Sequence, residues 1–381
     1  MGSLAFFPWL KAIQPVSAGV HSLLLYSPGG PVPEGLLFDV DVRTVERILR
    51  QYKTRRQESV SSLNLLLRQG KPLGFDMTAI EREEAFGFAR HLATAGLSAR
   101  SFVGSPWEFA STGHFQLVVQ PFTLPFTGSV SYRNRIKGGS TVVSTTVELH
   151  DSYLPEHLLQ PVDPPIDVAL LEALERSRNV NSRARQHLDA SLSQFLLANS
   201  CSPDVPFDVE THATYAAIER VCDADQTLKS CVNRVQNLLS CGHAHEYAQA
   251  LRDEMAVQSD QVDAAVREFL SALYVVRGAL SHGHVVQHSK GWEELDLQVA
   301  GAFLFPLLLK CRLAELNVYR LTIRDAAEVA GLGIALCERP FSSRDAGADK
   351  TRWELSLERV DEALATVEIA QTLSKSLQLG E

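Results

Sequence analysis

Apolar positions recur every three or four residues over most of the second half of the chain. This spacing predicts helices over 166–199, 210–222, 226–241, 260–282, 296–318, 322–337 and 351–378. Leu228, Val232, Val235, Leu238 and Leu239 mark one such face, and Val262, Val266, Phe269 and Leu273 another. In the last helix Trp353, Leu357, Val360, Leu364 and Val367 alternate by four and three over about two heptads, which suits either a packing stripe or a short coiled-coil contact. The first 150 residues mix periods. Ser22 to Tyr26 reads as a strand, and the SPGGPVPEG that follows is turn chemistry. One helix is expected from Val42 to Leu67, with Val45, Ile48, Leu49 and Tyr52 on its apolar side. A second, from Thr78 to Ala95, opens on a capping box of Thr78 and Glu81. Over 114–150 the runs FQLVVQPF, GSVSYR and STVVSTTVELH are β-branched and broken by Gly and Pro, as in a small meander or hairpin.

The expected fold class is therefore mainly α: an N-terminal α+β domain over 1–154 and a helical domain over 166–381. Between them, Pro155, Pro161, Pro164 and Pro165 disfavour both helix and strand, so 155–165 reads as a linker. No internal repeat or low-complexity tract interrupts this order.

Charge narrows the classes of function. With 36 Lys+Arg against 45 Asp+Glu, the formal net charge is -9, so a nucleic-acid partner has to be held by a local basic patch. Arg43, Arg47 and Arg50 share a helix face, continued by Lys53, Arg55 and Arg56, and RSRNVNSRAR at 176–185 is a second basic stretch. Each is either a solvated surface or a guide for phosphates. The longest apolar run, Leu297 to Leu309, is shorter than the roughly 20 residues that span a bilayer and reads as a buried core helix. The N-terminus has no charge before its apolar run, so no secretory leader is expected. Six cysteines without a regular framework suit a reducing compartment, hence a cytoplasmic protein without a membrane partner.

Two motifs are weak. Cys241, His243 and His245 have C-x-H-x-H spacing, but a residue at i+2 points to another helix face and no second ligand pair is near, so no metal and no cofactor is expected. LLLYSPGG followed by Asp39 and Asp41 resembles a nucleotidyltransferase loop, with Pro28 where the loop would wrap phosphate and no third carboxylate placed.

The informative stretch is EFLSALYVVRGALSHGH, 268–284. Arg277 falls on the apolar stripe of Val266, Leu270 and Leu273, and a guanidinium there requires a carboxylate or a phosphate. His282 follows five residues later, about 140° around an ideal helix, and Gly283 is a natural terminator. Arg277 and His282 can face one group only if the helix frays at Gly283 or a second copy completes the site.

Arg277, four residues and His282 match the R-x4–6-H motif of HEPN domains, and LYVVRGALSHG resembles the Apea-like branch, whose motif reads approximately Y-x-x-R-S-x-I-V-H-G. Upstream, TYAAIERVCDADQTLKSCVNRVQNLL resembles that family's preceding helix pair, and the likeness spans about 165–320. The resemblance implies a four- to five-helix bundle that dimerises through the motif helix, and a metal-independent endoribonuclease in bacterial defence or a toxin-antitoxin setting. RNA would be its substrate and a silencing protein a further partner. By the same resemblance Arg277 stabilises the phosphate, His282 acts as acid and base, and Glu219 orients Arg277. Tyr274, Gly283 and His284 would line the substrate, with His288 in the loop beyond. The sequence departs from the family pattern at Gly278, where a polar residue is usual. The alternative is a non-catalytic bundle serving dimerisation or nucleotide or ligand binding, with Arg277 in an internal ion pair.

Overall fold

The computed structural model describes residues 2–31, 37, 39–99, 110–122, 129–136, 139–146, 151–284, 292–337 and 352–378. The protein is mainly helical, with eleven α-helices among these residues. It divides into two compact units, Met1–Glu175 and Arg176–Glu381.

The first unit is built on a five-stranded antiparallel sheet in the order β2-β3-β5-β1-β6, from β1 (Gly2–Phe7), β2 (Val16–Ala18), β3 (His21–Tyr26), β5 (Leu63–Arg68) and β6 (Val118–Phe122). Two short strands, β4 (Tyr52–Lys53) and β9 (Ser152–Tyr153), pair in parallel, and β7 (Ser129–Ile136) with β8 (Gly139–Thr146) forms the expected hairpin. Helix α1 (Val42–Leu49) buries Val45, Ile48 and Leu49 in the sheet's core with Leu4, Phe6, Leu63 and Leu65.

The single helix expected from Val42 to Leu67 does not form. It stops at Leu49, and a turn held by Gln57 at φ 64 leads to β5. The cause is that β5 lies between β3 and β1, with Leu63, Asn64, Leu65 and Leu66 all buried. A strand covered on both faces loses the two-residue alternation, and its apolar run mimics a helix. Asn64 belongs there because its side chain accepts from the Ala12 amide at 2.7 Å and donates to the Ala12 carbonyl at 3.0 Å.

Helix α2 (Ala79–Ala99) opens on the capping box: Thr78 Oγ1 accepts from the Glu81 amide at 3.2 Å and Glu81 Oε2 from the Thr78 amide at 2.9 Å. The proline-rich segment lies inside the first unit, where Leu154, Leu158 and Val162 are buried. The unit ends in α3 (Val168–Arg176), where buried Glu175 meets His91 Nδ1 at 2.7 Å.

The second unit contains α4 (Ser182–Ala198), α5 (Phe207–Val221), α6 (Leu228–His243), α7 (Ala248–Glu254), α8 (Ser259–Ser281), α9 (Glu294–Glu315), α10 (Ile323–Cys337) and α11 (Arg352–Gln378). The helix expected over 166–199 is broken at Val180 and Asn181, where Asn181 caps α4 by accepting from the Ala184 amide. Helix α5 packs against α4, α8 and α9. By length and apolarity α9 would suffice to cross a membrane, but 67% of its most apolar window is buried, as expected of a core helix. Gly242, Gly301, Gly331 and Gly333 allow close approach: a Cβ at these positions would collide with Val329, Thr214, Val360 and Val262. Val360, Leu364 and Val367 of α11 pack on Leu251, Met255 and Ala326, so their heptad spacing is an internal packing stripe.

Candidate functional site

Two packed helices build the site. Helix α5 presents His212, Tyr215 and Glu219 at i, i+3 and i+7, which is one face, and α8 presents Tyr274 and Arg277. Tyr215 is fully buried and meets the Tyr274 ring edge-on, with centroids 5.7 Å apart. The Arg277 guanidinium carbon lies 5.3 Å from the Tyr215 centroid and 5.6 Å from that of Tyr274, within cation–π range.

Arg277 is balanced in charge but poorly supplied with acceptors. Its Nη2 is 3.7 Å from Glu219 Oε1, an ion contact too long to be a hydrogen bond, and its Nη1 donates to the Gln226 carbonyl at 3.4 Å. A guanidinium carries several further N–H donors. The Arg277 side chain remains 22% exposed, against 10% for Glu219.

The surroundings show how costly this polarity is. Burial pushes the Glu219 carboxyl above the usual carboxylate range, opposed by the Arg277 and Arg220 charges. Burial also lowers His212, and the Arg277 charge adds to that, so its imidazole is neutral at pH 7. The Cys231 thiol is pushed up to about 12, again chiefly by burial. Glu219 Oε1 and His212 Nδ1 are buried with no hydrogen-bond partner among the described residues. The Tyr215 hydroxyl has the Cys231 thiol, a weak hydrogen-bonding group, as its partner.

Helix α8 ends as Gly283 suggests. Gly283 has φ +69°, its amide donates to the Leu280 carbonyl at 3.3 Å, and the His284 amide reaches the Ala279 carbonyl at 2.9 Å, a Schellman turn. His282 is the C-cap residue; it and His284 are both exposed, their ring centroids 6.2 Å apart. Among the described residues no hydrogen bond, ion pair or ring contact joins Arg277 to His282. The structure thus brings Glu219, Tyr274 and Arg277 together and leaves His282, Gly283 and His284 at the helix end. His288 lies outside the described residues. A Cβ at Gly278 would meet open space.

His212, Tyr215 and the Gln226 carbonyl were not singled out by sequence. The signal was present in THATYAAIER, where His212, Tyr215 and Glu219 follow helical spacing. Elsewhere, His243 Nδ1 lies 2.8 Å from Arg252 Nη1, and among the described residues no group of three or more His, Cys, Asp and Glu could hold a metal ion. The basic stretches are partly committed: Arg50 pairs with Glu46, Arg183 with Asp223, and Arg176 donates to the Val318 carbonyl.

No protein-family model, curated protein or solved structure matches this chain.

Proposed function

We propose that the second unit is an RNA-cleaving helical domain of HEPN type, an endoribonuclease that needs no metal. The observation that carries this reading is Arg277 itself: a half-buried guanidinium, held by Glu219 and two tyrosine rings, with N–H donors left over for a phosphate. Arg277 would stabilise charge on phosphorus as it becomes pentacoordinate, and an exposed imidazole can exchange protons with a 2′-hydroxyl. Because Arg277 and His282 do not meet within the chain, His282 would act across a homodimer formed through α8. The protein would work in the cytoplasm, in defence or growth arrest, with a silencing partner.

The test is cleavage of RNA by the purified chain in excess chelator. His282→Ala is expected to lose at least about 100-fold of the rate with its fold intact. Equal rates in the two proteins remove His282 from the site, and no cleavage by either rejects the nuclease reading.

A second reading, a non-catalytic bundle for dimerisation or ligand binding, is favoured by one observation. Glu219 already supplies the counter-charge that Arg277 requires.

A further inference from the structure

His282 and His284 are two imidazoles set side by side at one helix end. Both are exposed, their ring centroids are 6.2 Å apart and their planes meet at 41°. Had the helix continued, the second would stand about 200° around from the first, on the opposite side. The reversal at Gly283, φ +69°, brings them together instead, in a backbone that a residue with a side chain rarely takes. The turn is fixed by its own hydrogen bonds: the His282 amide donates to the Gly278 carbonyl at 3.2 Å, the Gly283 amide to the Leu280 carbonyl at 3.3 Å and the His284 amide to the Ala279 carbonyl at 2.9 Å. Among the described residues no hydrogen bond or ion pair ties down either ring. Histidines with a structural task are held: His91 by Glu175 at 2.7 Å, His243 by Arg252 at 2.8 Å and His114 by the Ser111 amide at 3.0 Å.

We infer that the pair divides the proton transfers of RNA cleavage, with His282 as the base at the 2′-hydroxyl and His284 as the acid at the leaving 5′-oxygen. This division of labour rests on the nuclease reading and adds to it a source for the proton that the leaving oxygen needs. Histidine is the side chain that both takes and gives protons near neutral pH, so one ring of a pair can be neutral while the other is charged. Base and acid have to reach different oxygens of one phosphate, each over about 3 Å, which requires rings several ångström apart. At 6.2 Å the two rings can each reach one oxygen of the same phosphate. Since a single turn carries both, the pair meets the substrate as a unit in the homodimer of that reading. In the reaction the 2′-oxygen bonds to phosphorus as its proton passes to neutral His282. The bond from phosphorus to the 5′-oxygen breaks, and that oxygen takes the proton of the His284 imidazolium. The products are a 2′,3′-cyclic phosphate and a 5′-hydroxyl. His282 then gives its proton to solvent and His284 takes one back.

The test uses the full chain in excess chelator and two forms of an oligoribonucleotide that it cleaves. One is the natural RNA; the other carries sulfur in place of the 5′-oxygen at the cleaved bond, and a thiolate leaves without needing a proton. His284→Ala is expected to lose at least about 100-fold on the natural RNA and less than about tenfold on the sulfur form, whereas His282→Ala loses at least about 100-fold on both. The wild-type rate on natural RNA is expected to fall on the alkaline side, where the acid has given up its proton, and His284→Ala to lack that fall. Both rings are exposed, so both variants should keep the wild-type melting temperature, and His284→Gln, which keeps the bulk of the ring, should behave as His284→Ala does. A wild-type rate for His284→Ala on natural RNA, or an equal loss on the two forms, overturns the acid role and leaves the nuclease reading standing on His282. If the wild-type chain cleaves no RNA at all, the nuclease reading falls and the acid role falls with it.

Discussion

Asp325 shows what a satisfied buried charge looks like in this protein. It is 1% exposed and accepts from Lys310 Nζ at 2.7 Å, the Tyr319 hydroxyl at 2.9 Å, and the Thr322 amide and hydroxyl at 2.8 and 2.7 Å. Burial is the largest single influence and raises its carboxyl, but the Lys310 charge and these donors together outweigh it and hold the group below the usual range. Asp325→Ala removes the carboxylate bonded to Lys310 and is expected to cost about 3–5 kcal/mol in urea unfolding. Glu219 is the contrast, a buried carboxylate whose ion contact with Arg277 is 3.7 Å long, and that contrast sets the Arg277 cluster apart from ordinary structural pairing. His114 carries a pH dependence of known sign. Burial lowers it to about 4, and its Nδ1 accepts from the Ser111 amide, so the folded state holds it neutral. Unfolding lets it protonate near 6.5. Stability is therefore full above that value and lost as pH falls toward about 4, by about 3 kcal/mol for this residue alone. Unfolding at a series of pH values is expected to show this loss in the wild type and a smaller one in His114→Gln.

At the scale of elements, the helical half was largely legible in the sequence because its helices bury one face and keep the period. Helices α5, α6, α8, α9, α10 and α11 fall within a few residues of the spans that periodicity gives. Helix α7, at seven residues, was too short to show a period. Strand β5 carries a helix-like pattern because it is buried on both sides, and the α3–α4 break is hidden in sequence because only the fold shows the Asn181 side chain capping α4. In the site, Arg277 stood out as a charge on an apolar stripe. The separation of His282 from it also follows from five residues of helix. The unpartnered Glu219 Oε1 and His212 Nδ1 of α5 are invisible in sequence, since a lack of hydrogen bonds is a property of coordinates and not of spacing. Gly301→Ala tests the close approach of α9 to α5: the new methyl meets Thr214, and a loss of about 1–3 kcal/mol is expected in urea unfolding. Gly283→Ala meets no neighbour but forces a left-handed backbone on alanine, so about 1 kcal/mol is expected, with fraying confined to the end of α8 in hydrogen exchange.

For the whole molecule, two compact units with separate cores predict separable unfolding. Calorimetry of the intact chain is expected to resolve two transitions. Asp325→Ala should lower only the one belonging to the helical unit, and His114→Gln should change the acid sensitivity only of the other. A single transition that both substitutions move together would show the units to be energetically one. The net charge of -9 acts at this scale as well: any RNA contact has to be local, so binding that improves with every added basic residue anywhere on the surface would argue against a defined site.

The glycine seats of the helical unit have a consequence for its history. Where Gly301 faces Thr214, Gly333 faces Val262 and Gly242 faces Val329, the glycine cannot gain a side chain unless its partner has first been trimmed. Each pair is thus a lock with two tumblers, and a lineage carrying this fold can replace the glycine only by passing through a looser intermediate in which both members are small.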